Sequence, residues 1–382
     1  MRIALITDGI SPYVIGGMQK HSFYLAKYFA KHKVQVDLVH YNQSDLDIRQ
    51  LNYFTEEEKL YIHSIVIEFP HTARFPGHYI YASYKYAELA YEAIKTNLGV
   101  YDFIYTKGFA GWKLIQEKHK GTINCCNIGV KFHGYEMFQV APDLKSKIQQ
   151  YLLRPFVKTL SRQADVVFSY GGKITDIIRA LDIPDKRIIE IPSGVEKELI
   201  STSIATHQQP VRKFVFLGRY ERRKGILELN EALKVLISEQ LHFKFEFIGP
   251  IPEEKKIVHP DITYYGEIRD AQQIRLLLQQ SDVLVCPSWS EGFPNVILEG
   301  MAAGLAIIAT DVGAVSAMVS TQNGWLIEPA NHALLKTTLK DAVHLDEAGL
   351  TKKKEHSLEL VNTRFNWDSI YEQLSRSIFR EA

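Results

Sequence analysis

The chain predicts an α/β protein built from two doubly wound parallel sheets. Three observations carry this reading. Short apolar runs rich in Val, Ile, Leu and Phe alternate with longer stretches of helical spacing. The alternation occurs twice, once in each half, which is the pattern of parallel sheets covered by helices. The loops richest in glycine and charge follow directly on apolar runs, and ligands bind such sheets outside the carboxyl ends of their strands.

In the first half, strands are expected at Arg2–Thr7, Val34–His40, Phe103–Thr106, Ile123–Phe132, Val166–Ser169 and Arg187–Ile191. Helices lie between them, among them Met18–His32 and His78–Lys95; Met18, Leu25 and Phe29 keep one apolar stripe. In the second half, strands are expected at Lys213–Leu217, Lys244–Ile248, Ile262–Tyr265, Val283–Cys286 and Ala306–Ala309. Helices at Ile226–Ser238, Ala271–Gln280 and Asn295–Ala303 separate these strands. The polar, weakly periodic stretch from Gly194 to Gln209, followed by Pro210, reads as the junction. Phe365–Leu374 reads as a closing amphipathic helix. The expected units are residues 1–195, 196–363 and 364–382.

Bulk properties exclude several classes. The 382 residues are 46% hydrophobic and 23% charged with a formal net charge of +1, so no nucleic-acid partner is indicated. Residues 1–195 hold 24 Lys and Arg against 19 Asp and Glu, so positive charge concentrates there. Cys125, Cys126 and Cys286 form neither a disulfide framework nor a zinc spacing, which points to a reducing, cytoplasmic setting. Asp8 comes too soon for a signal peptide, and no run is long enough to cross a bilayer.

Ser288 to Gly304 is the most informative segment. It sets Glu291 in a loop and Glu299, eight positions later, about one turn into a helix. Pro294 suits that helix's first turn and Gly304 its end. Side chains lean toward a helix N-terminus, so the two carboxylates can converge on one crevice. Gly292 leaves the nearby backbone accessible. The free N–H groups suit a phosphate, while carboxylates suit sugar hydroxyls. The same segment also reads as a capped helix with a solvated Glu.

In Gly218-Arg219-Tyr220-Glu221-Arg222-Arg223-Lys224-Gly225, a strand ends at Gly218 and a helix begins near Gly225. Arg219 and Lys224 can there neutralise a pyrophosphate, or the loop is simply solvated. Gly16 and Gly17, ahead of a helix, permit close backbone approach, or make a plain strand-to-helix turn. His133, after a strand, can donate to a sugar hydroxyl or a phosphate, or serve structurally. Asp45-Leu46-Asp47 looks like a metal-binding D-x-D but sits in a polar stretch and reads as a loop.

Taken in this order, these segments resemble the retaining nucleotide-sugar glycosyltransferases of family 4, which have the GT-B fold. Glu291 through Glu299 matches the family's E-x7-E element, and Gly218-Arg219 with Lys224-Gly225 its diphosphate loop. Gly16-Gly17 matches its first-domain glycine loop and His133-Gly134-Tyr135-Glu136 its histidine turn. Ile191-Pro192-Ser193-Gly194-Val195 resembles the crossing between domains, with Ser193 where Asn is frequent. Phe247-Ile248-Gly249-Pro250 resembles the strand end near the base.

The resemblance implies two Rossmann-like domains facing a cleft. The acceptor would bind residues 1–195 and the donor 196–363, with 364–382 crossing back to the first domain. It implies a retaining, metal-independent hexosyltransferase using a UDP-sugar, or next GDP-mannose, with a glycan or lipid-linked acceptor of bacterial surface polysaccharide. Arg219 and Lys224 would hold the diphosphate, Glu299 the ribose, and Glu291 the sugar. Gly292, Phe293, Pro294 and Asn295 would touch sugar or phosphate. His133 would lie near the acceptor, Gly16 and Gly17 near the phosphates, and Gly249 near the base. No cofactor is expected. A nucleotide-sugar epimerase and a non-catalytic binding subunit are the alternatives. The positive charge of the first half and the aromatics of its Phe75–Tyr86 stretch suit peripheral contact with the inner membrane surface, and the aromatics equally suit core and cleft packing.

Overall fold

The computed structural model describes residues 1–14, 16–41, 53–70, 75, 77–204 and 211–379. The first half contains β1 (Arg2–Ile6), α1 (Gly17–Lys31), β2 (Gln35–His40), α2 (Glu56–Lys59), β3 (Ile62–Val66) and α3 (His78–Ile94). It continues with β4 (Phe103–Lys107), α4 (Trp112–Lys120), β5 (Ile128–Lys131), α5 (Leu144–Gln163), β6 (Val166–Ser169), α6 (Lys173–Ala180) and β7 (Ile188–Glu190). Its seven strands are parallel and ordered β3-β2-β1-β4-β5-β6-β7.

The second half contains β8 (Arg212–Leu217), α7 (Ile226–Ser238), β9 (Phe243–Ile248), β10 (Ile262–Gly266), α8 (Ala271–Gln279) and β11 (Val283–Cys286). There follow α9 (Asn295–Ala302), β12 (Ala306–Thr310), β13 (Gly324–Ile327), α10 (His332–His344), α11 (Glu347–Thr363) and α12 (Trp367–Ile378). The six strands are parallel, ordered β10-β9-β8-β11-β12-β13. In each sheet the order reverses direction once, beside β1 and β4 and beside β8 and β11, and such switch points open the ligand crevice.

Both sheets are apolar because helices cover both faces. Ile3, Leu5, Val36 and Leu38 face one layer of the first half, while Ala4, Ile6 and Val39 face the other. The fold class is as the sequence predicts, with corrections in detail. The strand expected at Ile123–Phe132 is only Ile128–Lys131, and Cys125 and Cys126 precede it. Strands β3 and β13 were not anticipated. Pro294 is the cap of α9 rather than its first helical residue. At the other end of α9, Gly304 takes a φ of +82, and Leu305 and Gly304 donate to the carbonyls of Gly300 and Met301, closing the helix. Asp45-Leu46-Asp47 and Pro210 lie outside the described residues.

The two crossings between halves run side by side. Val195 donates to Phe365 O and accepts from Trp367 N at 2.8 and 3.1 Å. Helix α12 then lies on α1: Trp367 stacks on Tyr24 and Tyr28 and meets His21 edge-on, with centroids 5.2, 5.7 and 5.3 Å away. Trp367 is 1% exposed. Trp367→Ala is expected to destabilise the chain by about 4 kcal/mol, because a cavity is left in a packed aromatic cluster. Urea unfolding checks this; a loss under about 1 kcal/mol contradicts it.

Candidate active site

The loops after β1, β5, β8 and β11 meet at the carboxyl ends of both sheets. The turn after β8 is a tight one over Arg222–Lys224. It aims successive basic side chains in different directions. Arg219 is 76% exposed and pairs with Glu221 at 3.0 Å. Arg222 pairs with Glu228 and lies over the Trp289 ring. Lys224 reaches Glu291 at 2.6 Å, and Arg223 reaches it at 3.4 Å.

Glu291 is 6% exposed. Its carboxylate accepts from Lys224 Nζ and, at 2.8 Å, from Ser288 Oγ. Burial by itself raises a carboxyl's pKa. Here Lys224 and Arg223 outweigh burial and, with the Lys224 and Ser288 hydrogen bonds, hold Glu291 below the usual carboxylate range. Its backbone is gripped from the opposite half: Gln139 Nε2 donates to Glu291 O at 2.6 Å, and Glu291 N donates to Gln139 Oε1 at 3.2 Å.

Gly292 sits where no side chain fits. A Cβ there would lie 2.1 Å from His133 O and 2.8 Å from Gly134 Cα, both backbone atoms across the cleft. Phe293, buried, packs its ring 5.1 Å from that of Tyr170. Gly17 makes the reciprocal approach: a Cβ there would lie 3.1 Å from His133 Nε2 and 3.4 Å from Asn295 Nδ2. Gly16, one position earlier, caps α1. Gly17, His133, Gly292 and Asn295 are therefore brought together.

His133 Nδ1 lies 3.3 Å from the Tyr170 hydroxyl. With the phenol donating, the ring proton sits on Nε2, on the side of Gly17. Burial, then the nearby Lys107 and Lys131, push the His133 pKa down to about 3, so the imidazole is neutral near pH 7. Both lysines are themselves buried: Lys131 donates to Ile191 O, and Lys107 bonds His21 Nδ1 at 2.8 Å. Burial lowers Lys107 to about 7.

Glu299, on α9, meets Lys20 of α1 at 2.9 Å, an ion pair spanning the halves. It holds Lys20 above the ordinary lysine value. A cavity of about 530 Å³ opens there, lined by Lys20, Glu299, Arg269, Arg275, Ile274 and Leu278 among others. A second, of about 300 Å³, opens on the first half beside His133, lined also by Asp8, Glu136, Tyr79, Phe109 and Leu153. Burial raises Asp8 to about 6 and raises Glu136. A larger cavity of about 1350 Å³ lies near Met1, Asp102 and Asp165, at the amino ends of the strands and away from these loops. At the end of β8, Gly218 N donates to Ile248 O, which brings Gly218 and Gly249 together.

Glu291 and Lys224 thus meet, but Arg219 stands apart from them, and Glu299 pairs with Lys20 instead of sharing partners with Glu291. Sequence reasoning missed Arg223, Gln139, Ser288 and Lys20. Arg223 was visible as a basic neighbour and Ser288 as the start of the Glu291 loop; Gln139 and Lys20 carried no local signal. Among the described residues, no group of three His, Cys, Asp or Glu side chains is placed to hold a metal ion.

Comparisons with known proteins bear on the family and the fold. Residues 15–199 match the family model described as Glycosyltransferase Family 4, and residues 211–344 that described as Glycosyl transferases group 1. TuaC, a Bacillus subtilis glycosyltransferase named for teichuronic acid biosynthesis, is 27% identical over 190 residues. That match covers 47% of this chain and 47% of TuaC, so the chain spans about half of that relative's length. Sucrose-phosphate synthase from Thermosynechococcus elongatus superposes over 99% of both chains with a TM-score of 0.75 at 20% identity. Anabaena Alr3699/HepE, solved with UDP, superposes over 100% of both with a TM-score of 0.64 at 16% identity. At these identities the solved structures speak to the fold alone.

Proposed function

The chain belongs to the family-4 type of glycosyltransferases with the GT-B fold, and on that premise we propose that it moves a hexosyl group, with retention, from a nucleotide-diphosphate sugar to a glycan or lipid-linked acceptor. The donor is a UDP-sugar before GDP-mannose, and the product belongs to surface polysaccharide. The observation that carries the reading is the cluster of Lys224, Arg223 and Glu291 facing Gly17 and His133 across the cleft.

In this reading the cations serve the diphosphate. Lys224 moves from Glu291 toward the phosphates as they enter, and exposed Arg219 swings in from Glu221. Their charge is matched to the leaving nucleotide and makes a metal unnecessary. Glu299 exchanges Lys20 for the ribose hydroxyls. Glu291 orients the sugar and faces its developing positive charge. A carboxylate that keeps Arg223 and Ser288 as partners is a poor nucleophile, which favours a same-face reaction. The C1–O bond to phosphate breaks, the acceptor oxygen bonds C1 on that face, and the acceptor proton passes to the departing phosphate oxygen. Neutral His133 donates to the sugar from Nε2. The cavity beside it, with Asp8 and Glu136, takes the acceptor. Gly16, Gly218, Gly249, Phe293, Pro294 and Asn295 line the donor path. The teichuronic acid name of TuaC supports the choice of product.

A thermal-shift panel of UDP, GDP, ADP and their sugars tests the donor. UDP compounds are expected to raise the melting temperature most, since a ligand bound only by the folded state stabilises it. No shift with any nucleotide contradicts the reading.

A further inference from the structure

Helix α5 carries an apolar stripe on the side turned away from the protein. Leu144, Ile148, Tyr151 and Leu152 follow the spacing i, i+4, i+7, i+8 and are 73, 55, 58 and 66% exposed. Val157, Leu160 and Ser161 bury the opposite side. Such a helix is apolar on two faces, and only one of them is explained by the core. Val140, just ahead of the helix, extends the stripe and is also exposed.

Charge brackets this stripe. Lys145 lies on one flank by helical position, and Lys147 and Lys158 on the other; Lys145 and Lys147 are exposed. Arg154 lies over the Tyr151 ring at 4.2 Å. Asp143 is spent as the cap, accepting from Ser146 N at 2.7 Å. An exposed apolar stripe edged by lysines fits the boundary between headgroups and acyl chains of an anionic bilayer.

The stripe adjoins the site. Arg154 Nε donates to Met137 O at 2.7 Å, fixing α5 to the turn that follows His133. Leu153 of α5 lines the cavity beside His133. The aromatic stretch before and within α3 is a weaker candidate: Tyr86 is buried and donates to Thr7 O at 2.7 Å, although Tyr79 and Tyr81 stay exposed.

We propose that the exposed face of α5 docks the protein on an anionic lipid surface, so that the cavity beside His133 opens toward acceptors held in that bilayer. The meaning for acceptor delivery rests on the proposed function; docking itself does not.

The test is co-sedimentation with phosphatidylcholine vesicles, with and without phosphatidylglycerol, beside UDP thermal shifts on the same samples. The protein is expected to pellet with the phosphatidylglycerol vesicles and to be released by salt. Ile148→Glu/Leu152→Glu should cut the bound fraction by about tenfold or more, and Lys145→Glu/Lys147→Glu should remove the dependence on phosphatidylglycerol. These positions are exposed, so the melting temperature and UDP shift should stay unchanged. Binding to neither vesicle, or binding untouched by the variants, overturns the proposal. So does a dimer that Ile148→Glu/Leu152→Glu makes monomeric while no lipid binds, since a second copy then covers the stripe. Lipid binding without any UDP shift upholds the docking and refutes the donor reading.

Discussion

Lys224→Ala is expected to lower kcat by about 10²- to 10³-fold and to weaken UDP binding, because it removes a preorganised cation from the leaving diphosphate. It carries a second effect. Glu291 is buried, and Lys224 is its nearest cation at 2.6 Å. Removing one partner of a buried pair costs about 3–5 kcal/mol where the other charge is left uncompensated; Arg223 and Ser288 still hold Glu291, so a loss at the low end, about 3 kcal/mol, is expected. Urea melts alongside kinetics separate the two effects. Lys224→Ala/Glu291→Ala should recover most of the stability and none of the turnover. Full activity in Lys224→Ala, or a double variant no more stable than the single, contradicts the assignment.

Gly292→Ala should be nearly as damaging by a different route. Gly292 has no left-handed φ to strain. The added methyl instead meets His133 O and Gly134 Cα across the cleft, at 2.1 and 2.8 Å. The halves then cannot reach their observed approach, and Glu291 loses its register with His133. A misplacement of this order costs about 10²-fold in rate. UDP affinity should survive, because the donor is held mainly by the second half. The kinetic signature is a fall in kcat with donor binding retained, measured by UDP titration and initial rates. Equal losses in both would place the fault in the donor loop instead.

Much of this was legible in the sequence because the signals are local. Apolar runs such as Val283–Cys286 and Phe214–Phe216 are buried on both faces and read as strands. Strand β3, with its alternation of His63, Ser64 and Ile65 at the sheet edge, is only half buried and has no such run. Strand β13 opens on Gly324 and leaves Trp325 and Leu326 only partly buried, so it lacks a run of that kind. At the site, Glu291 and Lys224 stood out because charge recurs at strand ends. The division of labour among Arg222, Arg223 and Lys224 did not, since a turn with three residues per cycle sends neighbours in different directions. Gln139 and Lys20 touch Glu291 and Glu299 across 152 and 279 positions, and no local pattern announces such contacts. The stripe on α5 needed the structure too: apolar spacing alone cannot say which of two faces the core takes.

The central claim is that the loops after β8 and β11 hold a nucleotide diphosphate. Its most direct measurement is a crystal structure of the chain with UDP. The account predicts phosphate oxygens within hydrogen-bond distance of Lys224 Nζ and the Arg219 guanidinium, and ribose hydroxyls on Glu299. UDP seated elsewhere, with Lys224 still on Glu291 and Lys20 still on Glu299, contradicts it.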